Sequence, residues 1–249
     1  EDLPLWVTRG AGTEGKPQPA VVLVHGGPWV RGSEWEWSAE AQFLASRGYV
    51  VIEPEFRGST GYGDRHFRAG WKQWGQAMQD DVTDALRFAV KSGWVDPLRV
   101  CIAGASYGGY ATLMGLAKDP DQYRCGVAWV GVSDPTLMFS IFWSDIQRES
   151  KEHSLPQLIG DPVKDAAMLA AQSPLKQAAR IKAAVMLAYG RKDRRVPIDH
   201  GELMRDALVK AGQAPEWIVY DDEAHGWQRP ETRIDFWTRV EAFLARHLQ

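Results

Sequence analysis

The sequence predicts an α/β fold in which helices cover both faces of a mostly parallel sheet. Six short apolar runs rich in Val and Ile recur along its 249 residues. They are apolar throughout rather than alternating with polar residues, which is typical of parallel strands buried on both faces. Segments with helical spacing separate most of these runs, and this alternation favours right-handed crossovers within one sheet.

The predicted elements follow a simple order that begins with an edge strand in LPLWVTRG. The predicted parallel strands lie at 20–27, 49–56, 99–106, 125–134, 183–190 and 216–225. The predicted helices lie at 36–47, 79–92, 108–118, 200–212 and 231–247. Residues 135–182 fit the alternation least well, and we interpret them as an insertion of short helices over the site.

Two features predict buried residues. The last predicted helix carries an apolar stripe at helical spacing, formed by Ile234, Trp237, Val240, Phe243 and Leu244. The cysteines, Cys101 and Cys125, lie inside predicted strands, where a buried free thiol is the common outcome.

Length and charge limit the possible functions. The length fits one large α/β domain, so a single domain over residues 1–249 is expected. A net charge of −3 provides no broad basic field, so neither nucleic acid nor an anionic membrane is an expected partner. No stretch approaches the roughly 20 apolar residues of a membrane-spanning helix. We expect a soluble protein with a small substrate.

The N-terminus, EDLPLWVTRG, has no signal-peptide pattern. Because the chain begins with Glu1 instead of Met, we expect that a targeting segment, a tag or a preceding domain was removed. The compartment, whether cytoplasmic, periplasmic or extracellular, depends on which of these preceded Glu1.

The junction of a predicted strand and helix at 104–108 carries a G-x-S-x-G motif, with Ser106 at its centre. A serine on so tight a turn needs small residues two positions away on either side, because the backbones approach there. Gly104 and Gly108 meet this requirement. Ser106 is therefore the predicted nucleophile of a serine hydrolase with the α/β-hydrolase fold.

A serine hydroxyl needs a base, and the base needs an acid that orients it. In this fold the acid and then the histidine follow the serine along the chain. Of six histidines, His225 satisfies both the order and the location beyond the last strand, whereas His25 precedes the serine. The remaining histidines lie in predicted helices or polar segments: His66, His153, His200 and His247.

Asp193, directly beyond the penultimate predicted strand, is the predicted acid. The alternatives are Asp199, which resembles a helix cap, and Asp221 and Asp222, which lie at the end of the last strand.

A tetrahedral intermediate also needs donors for its oxyanion, each contributing about 3 kcal/mol to catalysis. The backbone N–H of Tyr107 follows the nucleophile at a helix N-terminus. The second predicted donor is the N–H of Gly27, in the HGGP segment after the first parallel strand.

Five motifs in order resemble the catalytic domain of the prolyl oligopeptidase family, with acylaminoacyl and dipeptidyl peptidases as the nearest branches. The motifs are HGGP at 25–28, FRGSTGYGDRHF at 56–67, GASYGGY at 104–110, GRKDRRVP at 190–197 and EAHGW at 223–227. The resemblance covers roughly residues 18–249. It implies cleavage of short peptides, or of acyl amides and esters, without a metal or organic cofactor.

The resemblance assigns the same roles to Ser106, Asp193, His225, Gly27 and Tyr107. It also implies an apolar specificity pocket lined from the segment after CGVAWVGVSD. Three candidates for that lining are Val132, Met138 and Phe142. Plain core packing is the alternative explanation for these apolar residues.

The sequence departs from the family in one respect, because no β-propeller domain precedes the hydrolase domain. The chain is then either an excised catalytic domain or a stand-alone hydrolase. Several of its twelve tryptophans cluster at 28–37 and 69–76, which indicates a surface for a missing propeller or a second copy, unless they pack inside.

The leading functional hypothesis is a serine peptidase of the prolyl oligopeptidase type. A carboxylesterase acting on small acyl esters is the alternative within enzymes, and a stand-alone chain favours it. An inactive interaction domain is a remote third possibility. No metal-ligand spacing or phosphate loop is present, so neither a metal nor a nucleotide is predicted.

Overall fold

The protein is built around a central sheet, in a computed structural model that describes residues 3–12 and 15–249. Within those residues the strands are β1 (Leu5–Thr8), β2 (Gln18–Val24), β3 (Val50–Pro54), β4 (Val95–Ala105), β5 (Cys125–Trp129), β6 (Ala184–Gly190) and β7 (Glu216–Tyr220). Their order in the sheet is β1-β3-β2-β4-β5-β6-β7. Residues 1, 2, 13 and 14 belong to the predicted domain but lie outside the described residues.

Only β1 runs against its neighbour among the described strands, and it pairs antiparallel with β3 at the edge of the sheet. The other neighbouring pairs are parallel. The predicted mostly parallel sheet and the predicted N-terminal edge strand are therefore confirmed. Parallel neighbours place the carboxyl ends of β2 to β7 along one rim, and this rim carries the predicted site residues.

Among the described residues, five longer helices alternate with the strands, as predicted. They are α1 (Ala39–Ser46), α3 (Ala77–Lys91), α4 (Tyr107–Lys118), α8 (Asp199–Lys210) and α9 (Pro230–Leu248). The six-residue helix α2 (Asp64–Ala69), between β3 and α3, was not predicted. Between β5 and β6 lie shorter helical pieces, namely α5 (Leu137–Ser140), a π-helical turn (Ser150–Ser154), α6 (Leu155–Leu158), α7 (Ala166–Ala171) and a 3₁₀ helix (Leu175–Arg180). None of the helices among the described residues is both long and apolar enough to span a membrane.

The helices form two layers, one on each face of the sheet. Val22 of β2 belongs to the apolar cluster that includes α3, α4 and α8. The adjacent Val21 belongs to the cluster on the opposite face, with α1 and α9. Because successive side chains of a strand point to opposite faces, continuous apolar runs supply both cores.

The two cysteines lie at paired positions on neighbouring strands, with Cys101 of β4 opposite Cys125 of β5. Both are fully buried and free, as the sequence predicts. Burial raises the pKa of the Cys101 thiol, so this side chain is neutral and packs as a small apolar group.

The predicted apolar face of α9 is wrong at one position. Ile234 is 69% exposed, whereas Phe236, which was not predicted, is fully buried. The buried residues of α9 repeat mainly every four positions, from Thr232 through Phe236 and Val240 to Leu244. Ile234 lies two residues from Phe236, which is about 200° around a helix of 3.6 residues per turn, and so it faces solvent.

Candidate active site

Ser106 lies on a tight turn between β4 and α4. Its backbone has φ 58° and ψ −116°, a positive-φ conformation that is uncommon outside glycine. The Ser106 N–H donates to the Trp129 carbonyl at 3.0 Å, which ties the turn to the end of β5. Strain of this kind persists only where surrounding contacts enforce it.

The two glycines that flank the serine are needed because the end of β2 passes directly against them. A Cβ at Gly108 would lie 2.0 Å from the Val24 carbonyl oxygen, and a Cβ at Gly104 would lie 2.5 Å from the same atom. A Cβ at Gly104 would also come within 2.7 Å of the Gly108 Cα. The close approach inferred from the G-x-S-x-G motif is therefore present at both positions.

Asp193 and His225 come together across the loops that follow β6 and β7. The His225 Nδ1 and Asp193 Oδ2 atoms are 2.8 Å apart. Because a carboxylate only accepts hydrogen bonds, Nδ1 carries the proton, and the Nε2 of the neutral ring is then an acceptor. Asp193 is fully buried, while the His225 side chain is 31% exposed.

Two backbone N–H groups also hold the Asp193 carboxylate. Its Oδ1 accepts from Arg195 at 2.8 Å and from Val196 at 2.9 Å. With the imidazole on Oδ2, both oxygens have partners, as a buried charge requires. The carboxylate is therefore fixed in one orientation toward His225.

The loop carrying His225 is itself held against the end of β6. A Cβ at Gly190 would lie 2.3 Å from the Ala224 carbonyl oxygen, so only glycine permits this approach. The carboxylate of Glu223 accepts from the backbone N–H groups of Gln228 and Arg229, at 2.9 and 3.0 Å. Although burial opposes ionisation, these N–H donors lower the pKa of Glu223. The charged Glu223 thus closes the loop around His225.

The alternative acids lie elsewhere. Asp221 and Asp222 form exposed ion pairs with Arg191 and Lys192. Asp199 is the first residue of α8, next to the capping position rather than at it.

Two other histidines are engaged in separate contacts. His200 is buried, and its Nδ1 accepts from the Ser133 N–H at 3.1 Å. His66 lies on α2, and its Nε2 is 3.0 Å from the Phe56 carbonyl oxygen.

Ser106 and His225 line one cavity of about 360 Å³ at the rim of the sheet. Gly27 and Tyr107, the predicted oxyanion donors, line the same cavity. Gly27 has φ +110°, which gives its N–H an orientation that other residues rarely adopt. Tyr107 is the first residue of α4, where N–H groups lack intrahelical partners.

Of the three predicted pocket residues, Val132 and Met138 line the cavity and Phe142 does not. Phe142 is 92% exposed. The helix α5 ends at Ser140, and Ile141 is extended and buried. In an extended chain the next side chain points the opposite way, so Phe142 faces solvent. The prediction for Phe142 is wrong.

Several lining residues were not predicted, among them Trp74, Val130, Arg195 and Val196. Arg195 and Val196 lie in the same motif as Asp193, so proximity in sequence could have identified them. Val130 has φ 44°, a conformation that strains a β-branched residue, and apolar spacing gives no signal for it. Trp74 reaches the cavity from the loop before α3, which only the tertiary structure reveals.

Comparison with known proteins agrees with this architecture. The family model for the prolyl oligopeptidase family matches residues 35–249. The dipeptidyl aminopeptidase BIII of Pseudoxanthomonas mexicana is 40% identical over 250 residues, which cover 96% of this chain and 35% of that protein. This chain spans about a third of the length of the curated relatives it matches.

Solved structures show the same fold. A puromycin-hydrolyzing peptidase from Mycobacterium tuberculosis matches with a TM-score of 0.92 and 28% identity, over 100% of this chain and 37% of its own. The acylaminoacyl peptidase of Pyrococcus horikoshii matches with a TM-score of 0.89 and 27% identity, over 99% of this chain and 40% of its own. Taken with the matched family model, the α/β-hydrolase sheet and its strained serine turn place this chain in the prolyl oligopeptidase family.

Proposed function

We propose that this chain is the catalytic domain of a serine peptidase that cleaves short peptides or N-acylated residues through an acyl-enzyme. The observation that carries the proposal is the 2.8 Å bond between Asp193 and His225, at a cavity that His225 shares with the strained Ser106. Family membership supports the same chemistry.

Acylation begins when the Ser106 Oγ attacks the scissile carbonyl carbon and its proton passes to the His225 Nε2. The Asp193 carboxylate stabilises the resulting imidazolium through Nδ1. The negative charge on the former carbonyl oxygen accepts hydrogen bonds from the Gly27 and Tyr107 N–H groups. When the intermediate collapses, the C–N bond breaks and His225 returns the proton to the leaving amine.

Deacylation repeats these steps with water. His225 removes a proton from the water molecule that attacks the ester carbonyl of acylated Ser106. The second tetrahedral intermediate breaks the ester bond, the serine regains its proton from the imidazolium, and the carboxylic acid leaves. Besides the water molecule, these steps use the side chains and backbone N–H groups named above.

The substrate class follows from the cavity and from the relatives. Val132, Met138 and Val196 give part of the cavity an apolar lining, suited to an apolar residue at the scissile bond. The relatives are named as dipeptidyl and acylaminoacyl peptidases, which supports a short peptide substrate. Because those relatives are longer than the matched span, they also support a further domain as a partner.

Residues 1–249 are proposed to form one domain, with 135–182 as a cover over part of the site. Met138 of this segment lines the cavity. Asp145 of the same segment pairs with Arg195, also at the cavity, at 2.7 Å. These two contacts support the assignment of 135–182 as a cover.

The test is covalent labelling with a fluorophosphonate, followed by intact-mass measurement. The wild-type protein gains one adduct, and Ser106→Ala gains none, because the reagent needs the activated serine. Ser46→Ala, at an exposed serine outside the cavity, is labelled like the wild type. Equal labelling of Ser106→Ala and wild type would show that another residue is the nucleophile.

A substrate panel then separates peptidase from esterase. Dipeptidyl anilides with a free amine, N-acetyl aminoacyl anilides and p-nitrophenyl esters are compared at matched concentrations. The proposal expects turnover of at least one of the two anilide classes. Labelling at Ser106 with hydrolysis of esters alone would contradict the peptidase assignment and leave a serine esterase.

A further inference from the structure

The carboxylate of Asp134, which directly precedes the proposed cover (135–182), is buried and accepts hydrogen bonds at both oxygens. Asp134 is 3% exposed. Its Oδ1 accepts from the N–H and the hydroxyl of Thr136, at 2.8 and 2.7 Å. Its Oδ2 accepts from the Ser173 hydroxyl at 2.9 Å. One side chain thus binds residues near both ends of the cover.

Further contacts beside Asp134 join the same two stretches of chain. The Ser133 carbonyl oxygen accepts from the Leu175 N–H at 2.9 Å. The Ser173 Oγ, which donates to Asp134, also accepts from the Lys176 N–H at 3.2 Å. The Lys176 Nζ lies 3.9 Å from the Asp134 Oδ2 and supplies a positive charge there. The start and the end of the cover are therefore joined by backbone as well as side-chain bonds.

Asp134 also fixes the start of the first helix of the cover, α5. Its bond to the Thr136 N–H closes an Asx turn, and its carbonyl oxygen accepts from the Leu137 N–H at 3.1 Å. The helix α5 begins at Leu137 and is four residues long. Because so short a helix is not stable by itself, its direction depends on the contacts that hold its first turn.

The helix α5 carries part of the lining of the catalytic cavity. Met138 lines the cavity together with Ser106 and His225, and so does Val132, two residues before Asp134. Val132 is 2% exposed, whereas Met138 is only partly buried. A methionine side chain is unbranched and flexible, so the backbone that carries Met138 decides where it lies.

We propose that Asp134 is a positioning residue that sets the preference of the cavity for the size of the substrate residue at the scissile bond. This inference rests on the proposed function, since it concerns the same cavity. Asp134 does not itself line the cavity, so it acts through Met138, whose helix it holds. A large apolar substrate side chain gains from contact with Met138, whereas a methyl group buries too little surface to gain much.

The test compares two substrates that differ only in having Leu or Ala at the scissile bond. They are anilides, or p-nitrophenyl esters if wild type cleaves only those. In Asp134→Ala we expect the Leu-to-Ala ratio of kcat/KM to fall about 5- to 20-fold, because a displaced Met138 affects only the larger side chain. Asp134→Asn is expected to keep this ratio within about threefold of wild type, since its amide oxygen can accept from Thr136 and its NH₂ group can donate to Ser173.

A double-mutant cycle tests whether Asp134 acts through Met138. Met138→Ala removes the lining side chain itself and is expected to lower the Leu-to-Ala ratio by about 10-fold. The double variant is expected to match Met138→Ala within about twofold, because a side chain that is absent cannot be displaced. Losses that multiply in the double variant would overturn the inference.

The matched control is Asp161→Ala, which removes another carboxylate of the cover. The Asp161 Oδ1 accepts from the N–H groups of Val163 and Lys164, at 2.9 and 2.8 Å. This variant is expected to keep the Leu-to-Ala ratio within about twofold of wild type. Hydrogen exchange is the second readout, and amides at 136–141 are expected to exchange faster in Asp134→Ala but not in Asp161→Ala.

If Asp134→Ala fails to fold, as judged by circular dichroism and thermal unfolding, Ser173→Ala takes its place. Ser173 is fully buried and donates to Asp134, so its loss releases one end of the cover. The Leu-to-Ala ratio is then expected to fall by about threefold or more. An unchanged ratio in the folded variant overturns the inference, as does an equal loss for both substrates. Failure of the proposed function is separate, since wild-type protein would then not react with fluorophosphonate at Ser106.

Discussion

At the scale of single residues, the candidate site depends on how firmly Asp193 is held. Its carboxylate is fully buried and receives two backbone N–H groups as well as His225. Such a carboxylate orients the imidazole and selects the tautomer with a free Nε2. The proposed catalytic role of Asp193 can therefore be tested apart from folding by a substitution that keeps the shape of the side chain.

We predict that Asp193→Asn lowers kcat by roughly 10³- to 10⁴-fold while the protein stays folded. The amide oxygen can still accept from Arg195 and Val196, but its NH₂ group then faces His225 and favours the wrong tautomer. Steady-state kinetics with thermal unfolding measure both effects, and Asp199→Asn at the start of α8 is the control. Activity within tenfold of wild type would assign the acid to another residue.

At the scale of elements, α9 packs next to the rim of the sheet that carries the predicted site residues. Phe236 is fully buried and lies 5.4 Å from Trp129 and 5.5 Å from Trp227, by ring centroids. Trp129 is the last residue of β5, and its carbonyl oxygen accepts a hydrogen bond from the Ser106 N–H. Trp227 follows His225 by two residues. The helix thus packs against residues next to both predicted catalytic side chains.

We predict that Phe236→Ala lowers the free energy of unfolding by about 3–5 kcal/mol, because a large buried ring is lost. Ile234→Ala, two residues away on the same helix and 69% exposed, is expected to change it by no more than about 0.5 kcal/mol. Urea denaturation at pH 7.5 measures both. Similar losses for the two variants would mean that the face of α9 is assigned incorrectly.

At the scale of the whole molecule, stability depends on pH through buried histidines. Burial lowers the pKa of His200 to about 4, although Asp134 and Asp193 oppose this shift. Burial also lowers the pKa of His25. Each imidazole binds a proton more readily in the unfolded chain, whose histidines titrate near 6.5. The protein therefore loses stability as the pH falls below that value, until the folded state is protonated as well.

We predict that wild type loses about 2 kcal/mol more unfolding free energy than His200→Gln when the pH falls from 7.5 to 5.0. Other titrating groups are common to both proteins and cancel in the difference. The measurement is urea denaturation of each protein at the two pH values. Parallel losses in the two proteins would show that His200 is not a neutral buried imidazole.

Much of this protein follows from local sequence because its strongest signals are steric and periodic. Continuous apolar runs predict buried parallel strands, and glycines at 104 and 108 predict a serine turn that no other residue pair allows. The order of Ser106, Asp193 and His225 along the chain is equally a property of sequence alone. Each of these features can be recognised from a short stretch of sequence and from the order in which the predicted strands follow one another along the chain.

The direction of individual side chains depends on tertiary packing, because it is set by contacts between segments that are distant in the sequence. The helical face of α9 turns Phe236 inward and Ile234 outward, although both are apolar. The end of α5 directs Phe142 to solvent, whereas Trp74 reaches the cavity from a different loop. The sequence alone thus determined the fold class and the residues proposed for chemistry. Only the tertiary structure decided which side chains surround them, since a side chain's direction depends on the phase of its element and on the neighbours that cover it.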